Sequence, residues 1–143
     1  MSDSTSGAID INAPVDVVVS VLSDLANYPE WTEGMSNVEV LENVDGRPTR
    51  ARFSVAGGPI RDTVDIAYIW DPNQVSWTLL KGNTITTMNG CYSWQAAADT
   101  TRVTYGLEIA LNMTVPSFLK RAAEKTIVTT ALQGLKKRAE ANR

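Results

Sequence analysis

The chain has 143 residues, 43% apolar and 20% charged, with a formal net charge of −3; this is the length of one domain, 1–143, with enough apolar material for a core, and it excludes intrinsic disorder. Histidine is absent and Cys91 is the single cysteine, which excludes Ser-His-Asp and Cys-His nucleophiles as usually built, His-ligated zinc or haem, and an internal disulfide. No apolar run is long enough to span a bilayer and the polar, acidic first ten residues do not resemble a signal peptide, so a cytoplasmic protein with no transmembrane segment, no metal and no cofactor is expected.

Residues 6–11 read as a short first strand. Asn12 precedes Ala13-Pro14, a combination that can cap and open a helix through about Ser23, with Val17, Val18, Val21 and Leu22 on its buried side. Asp24 can cap a second short helix, which Tyr28-Pro29 should end because a residue before proline disfavours helix. From there the pattern alternates with period two. Val38 and Val40 belong to one strand, and Val44-Asp45-Gly46-Arg47 supplies a hairpin turn. Ala51, Phe53 and Val55 share the next inward face, before Gly57-Gly58-Pro59 breaks the run. Ile60, Asp62, Val64, Ile66, Tyr68 and Trp70 share a face of the following strand. Val75, Trp77 and Leu79 follow the turn at Asp71-Pro72-Asn73. Met88, Gly90, Tyr92 and Trp94 follow Lys81-Gly82-Asn83. Val103, Tyr105, Leu107, Ile109 and Leu111 complete an antiparallel meander with one face wet and one covered.

Pro116 opens a final helix that should run to about Ala139. Leu119, Ala123, Ile127, Ala131 and Leu135 recur at i+4, flanked by Ala122, Thr126, Thr130 and Gly134. This face is made mostly of small residues. Set against Trp77, Tyr92 and Tyr105, it either packs small against large or leaves a void. Charge is lopsided: residues 116–143 carry seven basic and two acidic side chains, net +5, while residues 1–115 carry six and fourteen, net −8. The consecutive Lys136, Lys137 and Arg138 fit a solvated helix end, with weak contact to an anionic membrane surface as the sharper reading. No broadly basic face points to nucleic acid.

Residues 9–40 read IDINAPVDVVVSVLSDLANYPEWTEGMSNVEV. A strand ending in Ile-Asp, then Ala-Pro-x-Asp, an apolar helix, Asp-Leu-x-x-Tyr-Pro-x-Trp and a Val-Glu-Val strand resembles the START-like (SRPBCC) superfamily. It looks like the bacterial polyketide cyclase/dehydrase and lipid-transport branch, which includes coenzyme Q-binding proteins. Arg50-Ala-Arg52-Phe53, Thr101-Arg102-Val103-Thr104-Tyr105 and Val115-Pro116 followed by Lys120-Arg121 agree in order. The resemblance implies an α+β helix-grip fold, in which a curved antiparallel sheet of about seven strands wraps a long C-terminal helix. Two short helices follow strand 1. It also implies a cavity between sheet and helix that holds a small hydrophobic ligand such as a lipid, isoprenoid or polyketide. A shared fold does not settle the activity.

The ligand-facing candidates follow from that frame. Tyr28 and Trp31 lie where the branch has its pocket mouth. Phe53, Trp77, Met88, Tyr92 and Tyr105 lie on the covered strand faces, and Leu119, Ala123, Thr126 and Ile127 on the inward side of the helix. Asp62 shares phase with Ile60 and Val64. It reads either as a wet carboxylate at the strand's open end or as a polar anchor at the cavity mouth. Cyclases of the superfamily use Arg, Tyr and bound water; Arg52 is the nearest Arg in sequence, but alternation puts it on the outer face. No catalytic residue is assigned. Three functions compete: a non-catalytic carrier with an apolar cavity, a cyclase or dehydratase with at least two ionisable groups converging there, and an interaction module with a filled core and an exposed apolar patch. The carrier reading leads. Monomer and homodimer are equally compatible with the sequence.

Overall fold

The computed structural model of the chain describes residues 4–57 and 60–143. Its strands are β1 (Thr5–Ile11), β2 (Met35–Val44), β3 (Arg47–Gly57), β4 (Ile60–Asp71), β5 (Gln74–Lys81), β6 (Ile85–Ala97) and β7 (Thr100–Leu111). Its helices are α1 (Val15–Ser23) and α2 (Ser117–Asn142), with a 3-10 turn at Leu25–Glu30 between α1 and β2. The strands form one sheet in the order β1-β7-β6-β5-β4-β3-β2, antiparallel throughout. Curved around α2, this is the helix-grip α+β fold.

Local chemistry accounts for the turns. Asp45 and Gly46 close the β2–β3 hairpin with φ of 54° and 79°, the left-handed pair that a two-residue turn between twisted strands requires. Pro72-Asn73 and Ala98-Asp99 close two further hairpins. Gly57 ends β3, while Gly58 and Pro59 of the expected break lie outside the described residues. Two helix starts differ from expectation. Pro14, not Asn12, is the cap residue of α1, and no side chain caps it; Asn12 instead donates its backbone N–H to Glu140 Oε2 at 2.8 Å. Asp24 is the cap residue of the 3-10 turn, but its carboxylate accepts from the Asn27 amide rather than from a turn N–H. That turn also runs through Pro29 to Glu30. Its turns are closed by the Asn27 N–H on the Asp24 carbonyl and the Trp31 N–H on the Tyr28 carbonyl, on either side of Pro29, so proline does not end it.

The helix α2 meets the sheet one flank away from the expected one. Ala123, Ala131 and Leu135 are buried as expected, but the flanking residues that turn inward are Glu124, Val128 and Leu132 rather than Ala122 and Thr126. Two contacts set this rotation. Val128 and Leu132 lie over Gly7 of β1, so closely that a Cβ at Gly7 would sit 3.1 Å from Val128 Cγ1 and 3.3 Å from Leu132 Cδ1. Glu124, 1% exposed, accepts the Ile109 N–H through Oε2 at 2.9 Å and the Thr5 hydroxyl through Oε1 at 3.0 Å. Lys120 Nζ donates to the Ile109 carbonyl at 2.9 Å. The Thr5–Leu107 pairing of β1 with β7 is thus continued by side chains of α2, which meet the backbone groups of Ile109.

Candidate functional site

Away from β1 the same helix leaves a space. A cavity of about 70 Å³ lies between α2 and strands β3 to β7. Its wall includes Phe53, Tyr68, Trp77, Met88, Tyr92 and Tyr105 from the sheet and Ile127 and Ala131 from α2. Tyr28, Thr32 to Met35 and Val55 to Gly57 complete the lining, and the exposed Glu33, Gly34 and Ala56 mark its open side. By volume it holds several waters.

The aromatic side chains form one connected group. Trp77 contacts Tyr68, Tyr92 and Tyr105 with ring centroids 6.0, 5.4 and 5.7 Å away, and Tyr92 and Tyr105 lie 4.4 Å apart. All contacts are tilted, an arrangement favoured by the ring quadrupoles. Gly90 on β6, opposite Trp77 on β5, is what lets the indole lie flat on the sheet: a Cβ there would overlap the ring.

The four tyrosines differ in their oxygen partners. Tyr28 donates to the Leu22 carbonyl at 2.6 Å, which ties the 3-10 turn to α1. The hydroxyls of Tyr68, Tyr92 and Tyr105 have no hydrogen-bond partner among the described residues, and none of the three is sealed from accessible space. Burial raises all three phenols well above the usual value, aided for Tyr68 and Tyr92 by the neighbouring phenols. They therefore stay neutral at physiological pH, each able to donate and accept. The single carboxylate among the described lining residues is Glu33, exposed at the mouth.

The other expected site residues fall elsewhere. Trp31 packs against Tyr28 at 4.6 Å and lines a surface groove beside Gly134, Lys137 and Arg138, not the cavity. Asp62 does not reach the cavity. Its Oδ2 accepts N–H bonds from Asn83, Thr84 and Ile85 at 2.8 to 2.9 Å and its Oδ1 accepts that of Thr63, so the carboxylate ties β4 to the turn before β6. Partial burial alone would raise its pKa; the backbone donors from Ile85, Asn83, Thr63 and Thr84 outweigh that and hold it below the usual carboxylate range. Ala123 is buried outside the cavity lining, Leu119 is 44% exposed, and Thr126 is exposed. These three follow from the rotation of α2 set by Glu124 and Val128. Arg52 lies on the outer face as alternation requires, paired with Asp65 at 2.7 Å.

Sequence reasoning missed Tyr68 and Ala131 as lining residues, although both lie on the faces it assigned inward. It also missed the mouth from Thr32 to Met35, which has no periodic signal. Among the described residues no three Cys, Asp or Glu side chains converge as a metal site would require, and no helix is long and apolar enough to cross a membrane.

The sequence profile described as polyketide cyclase/dehydrase and lipid transport matches residues 3–140. This chain belongs to that family. No curated protein sequence matches it significantly. Among solved structures, a START superfamily protein from Mycobacterium smegmatis superposes with a TM-score of 0.88 at 20% identity, covering 98% of this chain and 99% of that one. The Zhui aromatase/cyclase from Streptomyces sp. R1128 superposes with a TM-score of 0.86 at 17% identity, covering 99% and 96%. The di-domain ARO/CYC protein BexL superposes at 0.70 and 16% identity; this chain, 98% covered, accounts for 49% of it. At these identities the likeness carries the fold. The polyketide cyclase/dehydrase and lipid-transport family thus contributes the frame, and the wall of the cavity carries whatever is particular to this chain.

Proposed function

We propose that the chain binds and carries a small, flat, oxygen-bearing hydrophobic molecule of the polyketide-like aromatic class, without transforming it. The observation that carries this reading is the set of three neutral phenols, Tyr68, Tyr92 and Tyr105, lining the cavity with no hydrogen-bond partner among the described residues. A guest that displaces solvent from these hydroxyls and offers them no partner leaves each unsatisfied, at a cost of about 1–3 kcal/mol. Carbonyl or phenol oxygens on a ligand recover that cost, and an alkyl chain does not. The tilted aromatic group around Trp77 offers ring faces and edges to a planar guest. A cavity of about 70 Å³ admits several fused rings only if the open side yields, and that side is marked by Glu33, Gly34 and Ala56.

Catalysis by acid–base steps would need a second ionisable group converging on the ligand. Glu33 at the exposed mouth is the one carboxylate in the described lining, and the phenols are pushed away from neutral titration. The likeness to the Zhui aromatase/cyclase favours cyclisation as the second reading.

Titration of the Trp fluorescence with a hydroxyanthraquinone and, separately, with a saturated fatty acid tests the proposal. The expected result is quinone binding that Tyr92→Phe and Tyr105→Phe each weaken on the order of tenfold, and little fatty-acid binding. Preferential fatty-acid binding, unchanged in both variants, overturns it in favour of a plain lipid carrier. Accelerated ring closure of a linear poly-β-ketone, lost in Glu33→Gln, overturns it in favour of the cyclase.

A further inference from the structure

Outside the tyrosines, the buried hydroxyl and carboxyl side chains among the described residues are Thr101, Glu124 and Thr32, at 0%, 1% and 7% exposure. Two of them are satisfied within the fold. Thr101 donates to the Ala13 carbonyl at 2.8 Å, and Glu124 accepts from Ile109 and Thr5. The Thr32 hydroxyl has no hydrogen-bond partner among the described residues, and it is not sealed from accessible space. A polar side chain buried this deeply normally has a partner.

Thr32 is held firmly in place. Its N–H donates to the Tyr28 carbonyl at 2.9 Å, and Tyr28 is itself tied to the Leu22 carbonyl. The Trp31 carbonyl lies against Gly134 of α2, where a Cβ would overlap it, so the turn sits directly on the helix. Thr32 and Glu33 line both the cavity and the groove beside Trp31. That groove runs past Gly134 and Lys137 and has a volume of about 400 Å³, against about 70 Å³ for the cavity. A threonine hydroxyl at this junction can donate and accept, and a few such groups fix a ligand's orientation in a mostly apolar pocket. The charges around it are unequally placed. Arg138 is taken by Glu30 at 2.8 Å. Glu33 stands at the junction, exposed and with no partner among the described residues, whereas Lys137 lines the groove alone. A ligand carboxylate beside Thr32 would meet the like charge of Glu33; an uncharged carbonyl would not.

We propose that Thr32 is a specificity-determining ligand contact where cavity and groove meet, and that the ligand is elongated. Its rings lie among the phenols, an uncharged carbonyl accepts from the Thr32 hydroxyl, and an arm continues into the groove beside Trp31. The inference rests on the reading of the cavity as the site of an oxygen-bearing aromatic molecule, and it adds the arm to that class. It also accounts for the small cavity, because part of the molecule lies outside it.

Calorimetric titration of the full chain with three compounds tests it: a hydroxyanthraquinone, the same quinone bearing a hydroxyethyl carboxamide on the ring remote from the hydroxyl, and the same quinone bearing a carboxylate there. The amide is expected to bind about fivefold more tightly than the bare quinone, and the carboxylate more weakly than the amide. Thr32→Val, which keeps the shape and removes the hydroxyl, should bring the ratio of amide to bare quinone close to one. Thr32→Ser should retain the ratio, and thermal melts check that both variants fold. Binding of the bare quinone with no gain for the amide overturns this inference and leaves the reading of the cavity standing. A gain that persists in Thr32→Val overturns it too, as does a carboxylate that binds more tightly than the amide. Failure of all three compounds to bind overturns the reading of the cavity and this inference together.

Discussion

Two halves of one helix–sheet interface are built from similar residue types and end in opposite states. Over β1 and β7, α2 lays Val128 and Leu132 against Gly7, with both buried and little room between. Over β3 to β6 it presents Ile127 and Ala131 to four large rings, and a cavity remains. The cavity does not come from a missing element. It comes from which α2 residues face which strands, and that is decided by Glu124 and Lys120 gripping Ile109. A side-chain anchor at one end of the helix therefore controls how much space opens along it.

The largest contrast is expected between Leu132→Ala and Ile127→Ala. Leu132 is buried in the filled half, and its truncation leaves a new void worth about 3 kcal/mol. In a chain of this size that lowers the melting temperature by about 6–12 °C. Ile127 already borders open space, so Ile127→Ala should cost about 1 kcal/mol and widen the cavity. Equal losses in thermal melts would show that the two halves are packed alike.

Next in size is Gly90→Ala. The added methyl has to displace the Trp77 indole, which is held among three tyrosines. We expect about 2 kcal/mol of destabilisation and a shifted Trp emission as the ring moves into the cavity. An unshifted spectrum with full stability would mean that the ring was not seated on Gly90.

The smallest effect concerns Asp62, which holds the strand ends of the open half where no helix does. Its folded pKa is depressed, so its contribution is present above the unfolded carboxylate value near 3.9 and is lost as pH falls through the lower folded value. Asp62→Asn should cost about 1 kcal/mol at neutral pH. Denaturant titrations should show the gap to the parent closing below about pH 4; a gap that persists in acid would mean the backbone donors do not favour the ionised form.

Most of this architecture was legible in the sequence because period two and turn chemistry are local. Asp45-Gly46 marks its hairpin unaided, and the alternation of Val75-Trp77 and of Met88-Gly90-Tyr92-Trp94 assigns the right rings to the covered face. The phase of α2 was legible only to within one flank. Leu119 and Thr126 look inward by i+4 counting, and a buried Glu124 cannot be foreseen without knowing that Ile109 needs a partner across the sheet. Asp62 pointed to the correct face, but its partners lie 21 to 23 residues away in a turn, and composition says nothing of that distance. Alternation placed Tyr92 and Tyr105 on the covered face, but the lack of a partner for their hydroxyls among the described residues is a property of the assembled cavity alone.

The pairing of β1 with β7 has a consequence for how the chain is made. Each sheet contact from β2 to β7 joins strands adjacent in sequence, whereas β1 joins Thr5 to Leu107. On the ribosome the first strand emerges early and waits through the whole meander for its partner. Until β7 is released, β6 presents a bare edge of the kind that recruits other chains. The grip of Lys120 and Glu124 on Ile109 comes later still, so the sheet is covered only once α2 has been synthesised. Synthesis order thus makes the two chain ends interdependent: a nascent chain stalled before Thr100 holds five paired strands, one orphan and an open seam.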